Sequence, residues 1–529
     1  MSTRLARSAG LIGAATMTSR VLGVARETVL AALFGAGNEM DAFNVAFRSP
    51  NLLRDLFAEG AMSAAFVATF TRTLTTRGRD AAWRLGNLVM NALFALTVAA
   101  VAIAWVFAPP LVRLLAPDYA RVPGKLHLTI VLTRIMLPFI PMVALSVVMM
   151  GMLNSLRRFF IPALSPATFN VATILAAFAI VPAMPQLGWP RIAGIAIGTL
   201  LGGLGQILLQ SPILRREGWR YAPALDVRDA GVREVLLLMA PGTIGLAAVQ
   251  FNVFVNTILA TGQGTGAVSW LNYAFRIMYL PIGLFGASIG TAALPDIARH
   301  AATEDLAALK RTVSSAMRLM LMLNIPATVG LVLLAEPIVA MLLERGHFGR
   351  TDTMATAAAL TWYAPGLIGY STVKIASPSF YSLRDSRTPV VASAIAVVIN
   401  IVLNLALVRV LGFRGLALGT SVAAIVNAGL LLIWLRRRLG GLDARENTRA
   451  IGSIALASAV MGVVVWLTER ALDAMLPGVS TLARAVRVFT SIGAGIVALT
   501  IAARLLHIEE FRHALGRVTS RFAGGPPNE

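Results

Sequence analysis

Fourteen stretches of this chain are apolar for long enough to cross a bilayer, and that feature constrains the fold more than any other. A spanning helix needs about 20 predominantly apolar residues. The segments approximately 9–35, 38–71, 82–116, 127–155, 161–183, 190–213, 230–261, 266–297, 312–335, 353–382, 388–410, 415–439, 449–472 and 482–506 qualify. In lipid each backbone polar group must be satisfied within its own segment. The expected fold class is therefore an all-α polytopic membrane protein with about 14 transmembrane helices. Composition agrees: 57% of the 529 residues are hydrophobic and 13% are charged, where a soluble domain carries about 25% charge. A soluble enzyme, a disordered chain and a fibrous repeat are excluded. The first segment is no cleavable signal peptide, because it runs into Arg20, Arg26 and Glu27, which an h-region does not contain.

The net charge of +21 lies between the apolar runs, with no basic arm and no aromatic interleaving. It reads as a set of topology determinants and anionic-lipid contacts, with no nucleic-acid partner. With the N-terminus taken as cytoplasmic, the connections on that side hold 28 Lys and Arg and the opposite side holds 10. The bias predicts both termini in the cytoplasm. The chain has no cysteine, and its five histidines sit near span ends or beyond them, so no metal and no cofactor is expected.

The sequence also repeats itself. Phe43-Asn44-Val45-Ala46-Phe47-Arg48 echoes Leu271-Asn272-Tyr273-Ala274-Phe275-Arg276 at an offset of 228. Pro110-Leu111-Val112 matches Pro337-Ile338-Val339, and Ser155-Leu156-Arg157 matches Ser382-Leu383-Arg384, both at 227. Gly194-Ile195-Ala196-Ile197-Gly198-Thr199 matches Gly415-Leu416-Ala417-Leu418-Gly419-Thr420 at 221. A unit of six spans returns with the same orientation, which makes the copies parallel repeats. The expected organisation is an N-lobe over 1–220, a C-lobe over 221–440, an added helix pair over 441–507 and a cytoplasmic tail over 508–529. Two such lobes around a central cationic cleft are a transporter architecture.

Seven cations lie inside spans, namely Arg20, Arg26, Arg48, Arg54, Arg134, Arg276 and Lys374, with four acids, Glu27, Asp41, Asp55 and Glu59. A central Arg costs about 2.5–3.5 kcal/mol on insertion scales, so seven facing lipid would cost of order 20 kcal/mol. They must face water, each other or a ligand. Asp41, Arg48, Asp55 and Glu59 are spaced 7, 7 and 4 apart, which stacks them on one helical face. The surplus of cations points to an anionic substrate, and guanidinium forks suit phosphate or pyrophosphate. Two competing readings stand beside this one. Arg48 pairs with Asp41 or Asp55, and Arg26 with Glu27, purely internally; Arg134 and Lys374 snorkel to the interface. An integral-membrane glycosyltransferase or phosphatase would need catalytic carboxylates or histidines at a membrane face, and none is found.

Ser19-Arg20-Val21-Leu22-Gly23, Ala25-Arg26-Glu27, Phe34-Gly35-Ala36-Gly37, Asp41-Ala42-Phe43, Pro50-Asn51-Leu52-Leu53-Arg54, Phe57-Ala58-Glu59-Gly60-Ala61, Val268-Ser269-Trp270 and Phe380-Tyr381-Ser382 together resemble the MurJ (MviN) lipid II flippases of the MOP exporter superfamily. The resemblance implies a bacterial inner-membrane flippase for undecaprenyl-pyrophosphate-linked peptidoglycan precursor, working by alternating access. Its partners would be lipid II, membrane lipids and cell-wall synthesis proteins. The family's cavity arginines fall on Arg20, Arg26, Arg54 and Arg276. Arg48, Asp41, Glu27, Glu59 and Ser269 complete the implied substrate site. The family's first-span acid is usually Asp, here Glu27. Phe275 stands where some relatives carry an acid. Spans 13–14 would form a groove for the lipid tail. A sodium site proposed for some relatives finds only Asn256 and Asp385 here, and no ion site is assigned. The alternative reading is a MOP-type exporter of another polyprenyl-linked oligosaccharide or of a drug.

Overall fold

Every described element of the computed structural model is a helix. The structure describes the backbone of residues 3–58, 61–283, 287–442, 444–476, 480–508 and 511, and the side chains within those ranges except 3–12, 14, 53–58, 61–64, 240–249, 287, 288, 291, 444 and 445. The helices are α1 (Thr3–Phe34), α2 (Asn38–Ala58), α3 (Ala61–Val106), α4 (Ala108–Leu115), α5 (Lys125–Met136), α6 (Phe139–Ser155), α7 (Phe160–Ala179), α8 (Ala193–Arg216), α9 (Ala230–Thr261) and α10 (Ala267–Pro281). They continue as α11 (Ala287–Ala302), α12 (Leu306–Leu333), α13 (Ala335–Leu343), α14 (Arg350–Tyr363), α15 (Gly366–Ser382), α16 (Arg387–Leu411), α17 (Phe413–Arg438), α18 (Ala444–Met475) and α19 (Thr481–Leu505). Among the described residues, nine helical stretches are long and apolar enough to span. The remaining expected spans fall on α1, α2, α9, α10–α11 and α14–α15. The chain is an all-α polytopic membrane protein.

Proline and glycine explain where the elements depart from the expected spans. The span expected over 127–155 is split at Pro138 and that over 353–382 at Pro365, since proline lacks the N–H that would continue the ladder. Each pair still reads as one pass. The break expected between spans 2 and 3, over 72–81, falls at Gly78, whose φ of 82° and ψ of −179° interrupt α3, a conformation glycine adopts without a Cβ clash. The Phe70 and Trp83 rings meet across it at 5.8 Å.

Two compact units emerge, Met1–Ser269 with Arg345–Phe348, and Trp270–Glu344 with Gly349–Glu529. The division lies at 269/270 rather than at 220/221, because α9 packs on α3 and α2. The first unit centres on Phe66, Phe70, Trp83, Phe139 and Met152, and the second on Met317, Met320, Ile375, Phe380 and Leu435.

The repeat is written into the backbone. Where α5 stops, Leu137 N–H bonds the Thr133 carbonyl at 3.0 Å and Ile140 N–H the Leu137 carbonyl at 3.1 Å. Where α14 stops, Ala364 bonds Leu360 at 2.8 Å and Leu367 bonds Ala364 at 3.0 Å, each 227 residues on. Arg157 and Arg384, also 227 apart, both adopt left-handed φ, 60° and 59°. The offset falls to 221 at Gly194 and Gly415 for a local reason. Two 3₁₀ turns, Val181–Ala183 and Pro185–Leu187, follow α7, whereas Gly412 alone joins α16 to α17.

Candidate functional site

In the first unit α1 holds three of the expected site residues. Arg20 is half-buried and its guanidinium makes no ion pair or hydrogen bond among the described residues. It lies 14 residues before the end of α1, about 21 Å along a helix rising 1.5 Å per residue. Arg26 and Glu27 are both buried and paired with each other. The Arg26 guanidinium also sits 4.9 Å over the Phe169 ring of α7, a cation–π contact strengthened by exclusion of water. Asn170 Nδ2, one residue on, donates to the Ser19 carbonyl at 3.0 Å, so α7 fixes α1 on either side of Arg20. Arg48 is half-buried on α2. Arg54 and Glu59 lie outside the described side chains. In the second unit Arg276 is half-buried on α10.

The structure brings together two expected site residues in an arrangement the sequence did not foretell. Asp41 is fully buried, and its carboxylate accepts four hydrogen bonds. Oδ2 takes Lys125 Nζ at 2.8 Å and Gly266 N–H at 2.7 Å, while Oδ1 takes Ser269 N–H at 3.1 Å and Ser269 Oγ at 2.7 Å. Asn44 Nδ2 donates to Ser269 Oγ at 3.1 Å, and Thr265 Oγ1 donates to Asn38 Oδ1 at 2.9 Å. Lys125 is 3% exposed and its ammonium lies 4.1 Å from the Tyr119 ring centre. Burial, with the Asp41 charge nearby, pushes the Tyr119 phenol well above its ordinary range. A carboxylate with four donors is already satisfied, so in this conformation Asp41 and Ser269 bind each other. Lys125 stands in what reads from sequence as an external connection. The signal that could have found it is Asp41 itself, a buried acid with no cation within a helical turn, which requires one from elsewhere.

The second unit carries a different set. The Phe275 ring meets Tyr279, Tyr363 and Tyr370 at centroid separations of 5.7, 5.5 and 6.2 Å, so the position before Arg276 is aromatic packing. Lys374 is exposed on α15. Arg134, in the first unit, donates from Nε to the Trp105 carbonyl at 3.2 Å and lies 4.6 Å over that indole, as a snorkelling cation would. Between α12 and α18 is an apolar cavity of about 450 Å³ lined by Val329, Val332, Leu333, Gly462, Val463 and Trp466. Helices α18 and α19 are joined by Arg487, which binds Glu469 at 2.5 Å and Asp473 at 2.7 Å.

A family profile described as "Lipid II flippase MurJ" matches residues 30–485. The chain belongs to the MurJ family. It is 33% identical to a probable lipid II flippase MurJ of Vibrio cholerae serotype O1, over 96% of this chain and 97% of that one. It is 35% identical to the lipid II flippase MurJ of Burkholderia cenocepacia, over 80% and 82% of the two chains. A solved structure of lipid II flippase MurJ in an inward closed conformation superposes with a TM-score of 0.77 at 26% identity, covering 94% of this chain and 99% of that one. An inward-facing multidrug resistance MATE transporter of the MOP superfamily shares the fold at a TM-score of 0.68 and 17% identity, over 82% and 98%. The MurJ assignment makes this chain a transporter rather than an enzyme.

Proposed function

We propose that this chain flips lipid II, the undecaprenyl-pyrophosphate-linked peptidoglycan precursor, from the inner to the outer leaflet of the bacterial cytoplasmic membrane, by alternating access of its two six-helix repeats. The observation that carries this reading is Arg20, a guanidinium deep in an apolar helix that no described acid neutralises. An unpaired cation there is costly unless a ligand anion visits it. Arg20, Arg26 and Arg54 in the first unit and Arg276 in the second are the donors assigned to the pyrophosphate. The apolar cavity between α12 and α18 supports a tail path beside the added helix pair.

Asp41 and Ser269 take a different role from direct substrate contact: they hold shut the end of the first unit where α1 turns into α2. By the charge bias of the connections this end faces outward, and both termini lie in the cytoplasm. Because the chain has no cysteine, single cysteines report the orientation. Gly78→Cys and Gly441→Cys should react only with reagents that enter the cytoplasm, and Gly264→Cys with an impermeant one. External labelling of Gly78→Cys in intact cells overturns the orientation.

Function is tested in cells depleted of their own flippase, by the access of an impermeant reagent to lipid II. Arg20→Ala, Arg26→Ala, Arg54→Ala and Arg276→Ala should each insert normally yet lower export by about 10- to 150-fold, the loss of one charge-assisted hydrogen bond of about 1.5–3 kcal/mol. Lysine keeps the charge without the planar fork and should restore export only in part. Normal export by all four Ala variants would make the arginines members of structural ion pairs and sink the headgroup assignment.

A further inference from the structure

The connection between α8 and α9 is an extended strap laid along α3. Asn87 and Asn91, one turn apart on α3, reach out to its backbone: Asn87 Nδ2 donates to the Arg220 carbonyl at 2.9 Å, and Asn91 Nδ2 to those of Ala222 and Ala224 at 2.9 and 2.8 Å. Trp219 Nε1 and Tyr221 Oη return hydrogen bonds to the two Asn Oδ1 atoms at 2.9 and 3.0 Å. Fixed in this way, the strap exposes Tyr221, Leu225 and Val227. Apolar exposure on α3 resumes at Phe94, Leu96 and Val98, and on α9 at Leu236, Leu237 and Leu238. The basic residues Arg77, Arg79, Arg84, Arg215 and Arg216 lie on the other side. The strap therefore runs at the depth where charged surface gives way to lipid-facing surface, the headgroup layer.

Beneath it is a cavity of about 300 Å³ lined by Asp80, Trp83, Arg84, Gly218 and Arg220. No hydrogen bond or ion pair joins the charged groups of Asp80, Arg84 and Arg220 to any described residue. Trp83 is only 7% exposed, yet its Nε1 donor has no acceptor among the described residues. That nitrogen faces Gly218, 3.9 Å from where a Cβ there would stand, and both residues line the cavity. Three donor groups thus surround one space, with a single carboxylate beside them. Two guanidinium forks and an indole N–H are donors for a phosphodiester. A carboxylate only accepts, and an ammonium is its complement. We propose that this cavity binds the headgroup of a zwitterionic aminophospholipid, with Arg84, Arg220 and Trp83 on the phosphate and Asp80 on the ammonium of phosphoethanolamine.

The purified full-length protein in neutral detergent is titrated with dioctanoyl-phosphatidylethanolamine, dioctanoyl-phosphatidylglycerol or free O-phosphoethanolamine, and bound ligand is counted by native mass spectrometry. One phosphatidylethanolamine per chain should bind ahead of phosphatidylglycerol. Arg84→Gln and Arg220→Gln should each weaken it about tenfold or more, the loss of a charge-assisted hydrogen bond. Asp80→Asn should keep phosphatidylglycerol binding and erase the preference. These side chains are exposed and unbonded, so the unfolding midpoint should hold in all three variants. Equal binding by the Gln variants overturns the site. A wild-type preference for phosphatidylglycerol overturns the role of Asp80. Free O-phosphoethanolamine binding as tightly as the lipid overturns a membrane source. The readout is binding, so failure of the flippase reading leaves it intact.

Discussion

The seam between α2 and α5 and the seam between α10 and α14 hold the same place in the two repeats, and they are closed by different chemistry. Lys125 at the head of α5 corresponds, 227 residues on, to Asp352 in the first turn of α14. In the first seam Lys125 meets Asp41, both buried, at 2.8 Å. In the second the sign is reversed and the partner is neutral: Trp270 Nε1 donates to Asp352 Oδ1 at 2.9 Å, with the indole resting on Phe413 at 5.2 Å. Helix breaks and caps have been kept while the charges on them have diverged. The difference teaches that backbone geometry sets the repeat, and that a buried ion pair is an addition to it on one side only. It also sets different tolerances. Removing one member of a buried pair leaves an uncompensated charge in low dielectric, whereas the second seam loses only a hydrogen bond on a half-buried acid.

The largest effect expected from this contrast is on stability. Asp41→Asn or Lys125→Met should each cost about 3–5 kcal/mol, since each strands the other partner. Asp352→Ala should cost about 1 kcal/mol, the net worth of an ordinary hydrogen bond. Unfolding midpoints in detergent compare the three, and the double variant Asp41→Asn with Lys125→Met should recover more than half of the single loss. Equal losses at Asp41 and Asp352 would erase the contrast.

A smaller effect is expected where α7 meets α8 and α16 meets α17. A Cβ on Gly415 would stand 2.4 Å from the Leu407 carbonyl oxygen, and one on Gly194 2.9 Å from the Val181 backbone. Backbone cannot turn aside as a side chain can, so alanine at either position should cost about 1–3 kcal/mol as overpacking does, with Gly415→Ala the worse. Gly429, with open space around its Cβ position, is the control and should tolerate alanine. A tolerated Gly415→Ala would mean that the α16–α17 contact is looser than its counterpart.

Much of this was legible in the sequence because it follows from length and spacing. Apolar length marks the passes, and the offset near 227 predicts which breaks recur, down to the bonds at Leu137 and Ala364. What depends on distant partners was not. Lys125 reads as loop charge because nothing local says that a buried carboxylate 84 residues earlier needs it. Asp41 and Ser269 read as ligand contacts because their pairing is visible only once the chain is folded. The boundary at 220/221 follows from counting spans, while the observed one reflects where α9 packs. Arg26 with Glu27 lay between the two cases: adjacency allowed the pair, and the Phe169 ring that holds it comes from α7.

The smallest predicted effect tests the repeat itself. Arg157 and Arg384 each end a helix in the left-handed region, φ 60° and 59°. In both caps the next residue's N–H reaches back five residues, Arg158 to the Leu153 carbonyl and Asp385 to that of Phe380, each at 2.9 Å. This is the cap that usually carries glycine, which has no Cβ to crowd the carbonyl. Both arginines are exposed, so their replacement should not disturb packing. Relief of about 1–2 kcal/mol of left-handed strain is set against about 0.5–1 kcal/mol of added unfolded-state entropy. Arg157→Gly and Arg384→Gly should therefore each raise stability by no more than about 1.5 kcal/mol, and by the same amount. Equality is the sharper test, because the two sites share only their place in the repeat. A gain at one and a loss at the other would show that the shared hydrogen-bond pattern conceals unequal strain, and that the copies have diverged in backbone as well as in charge.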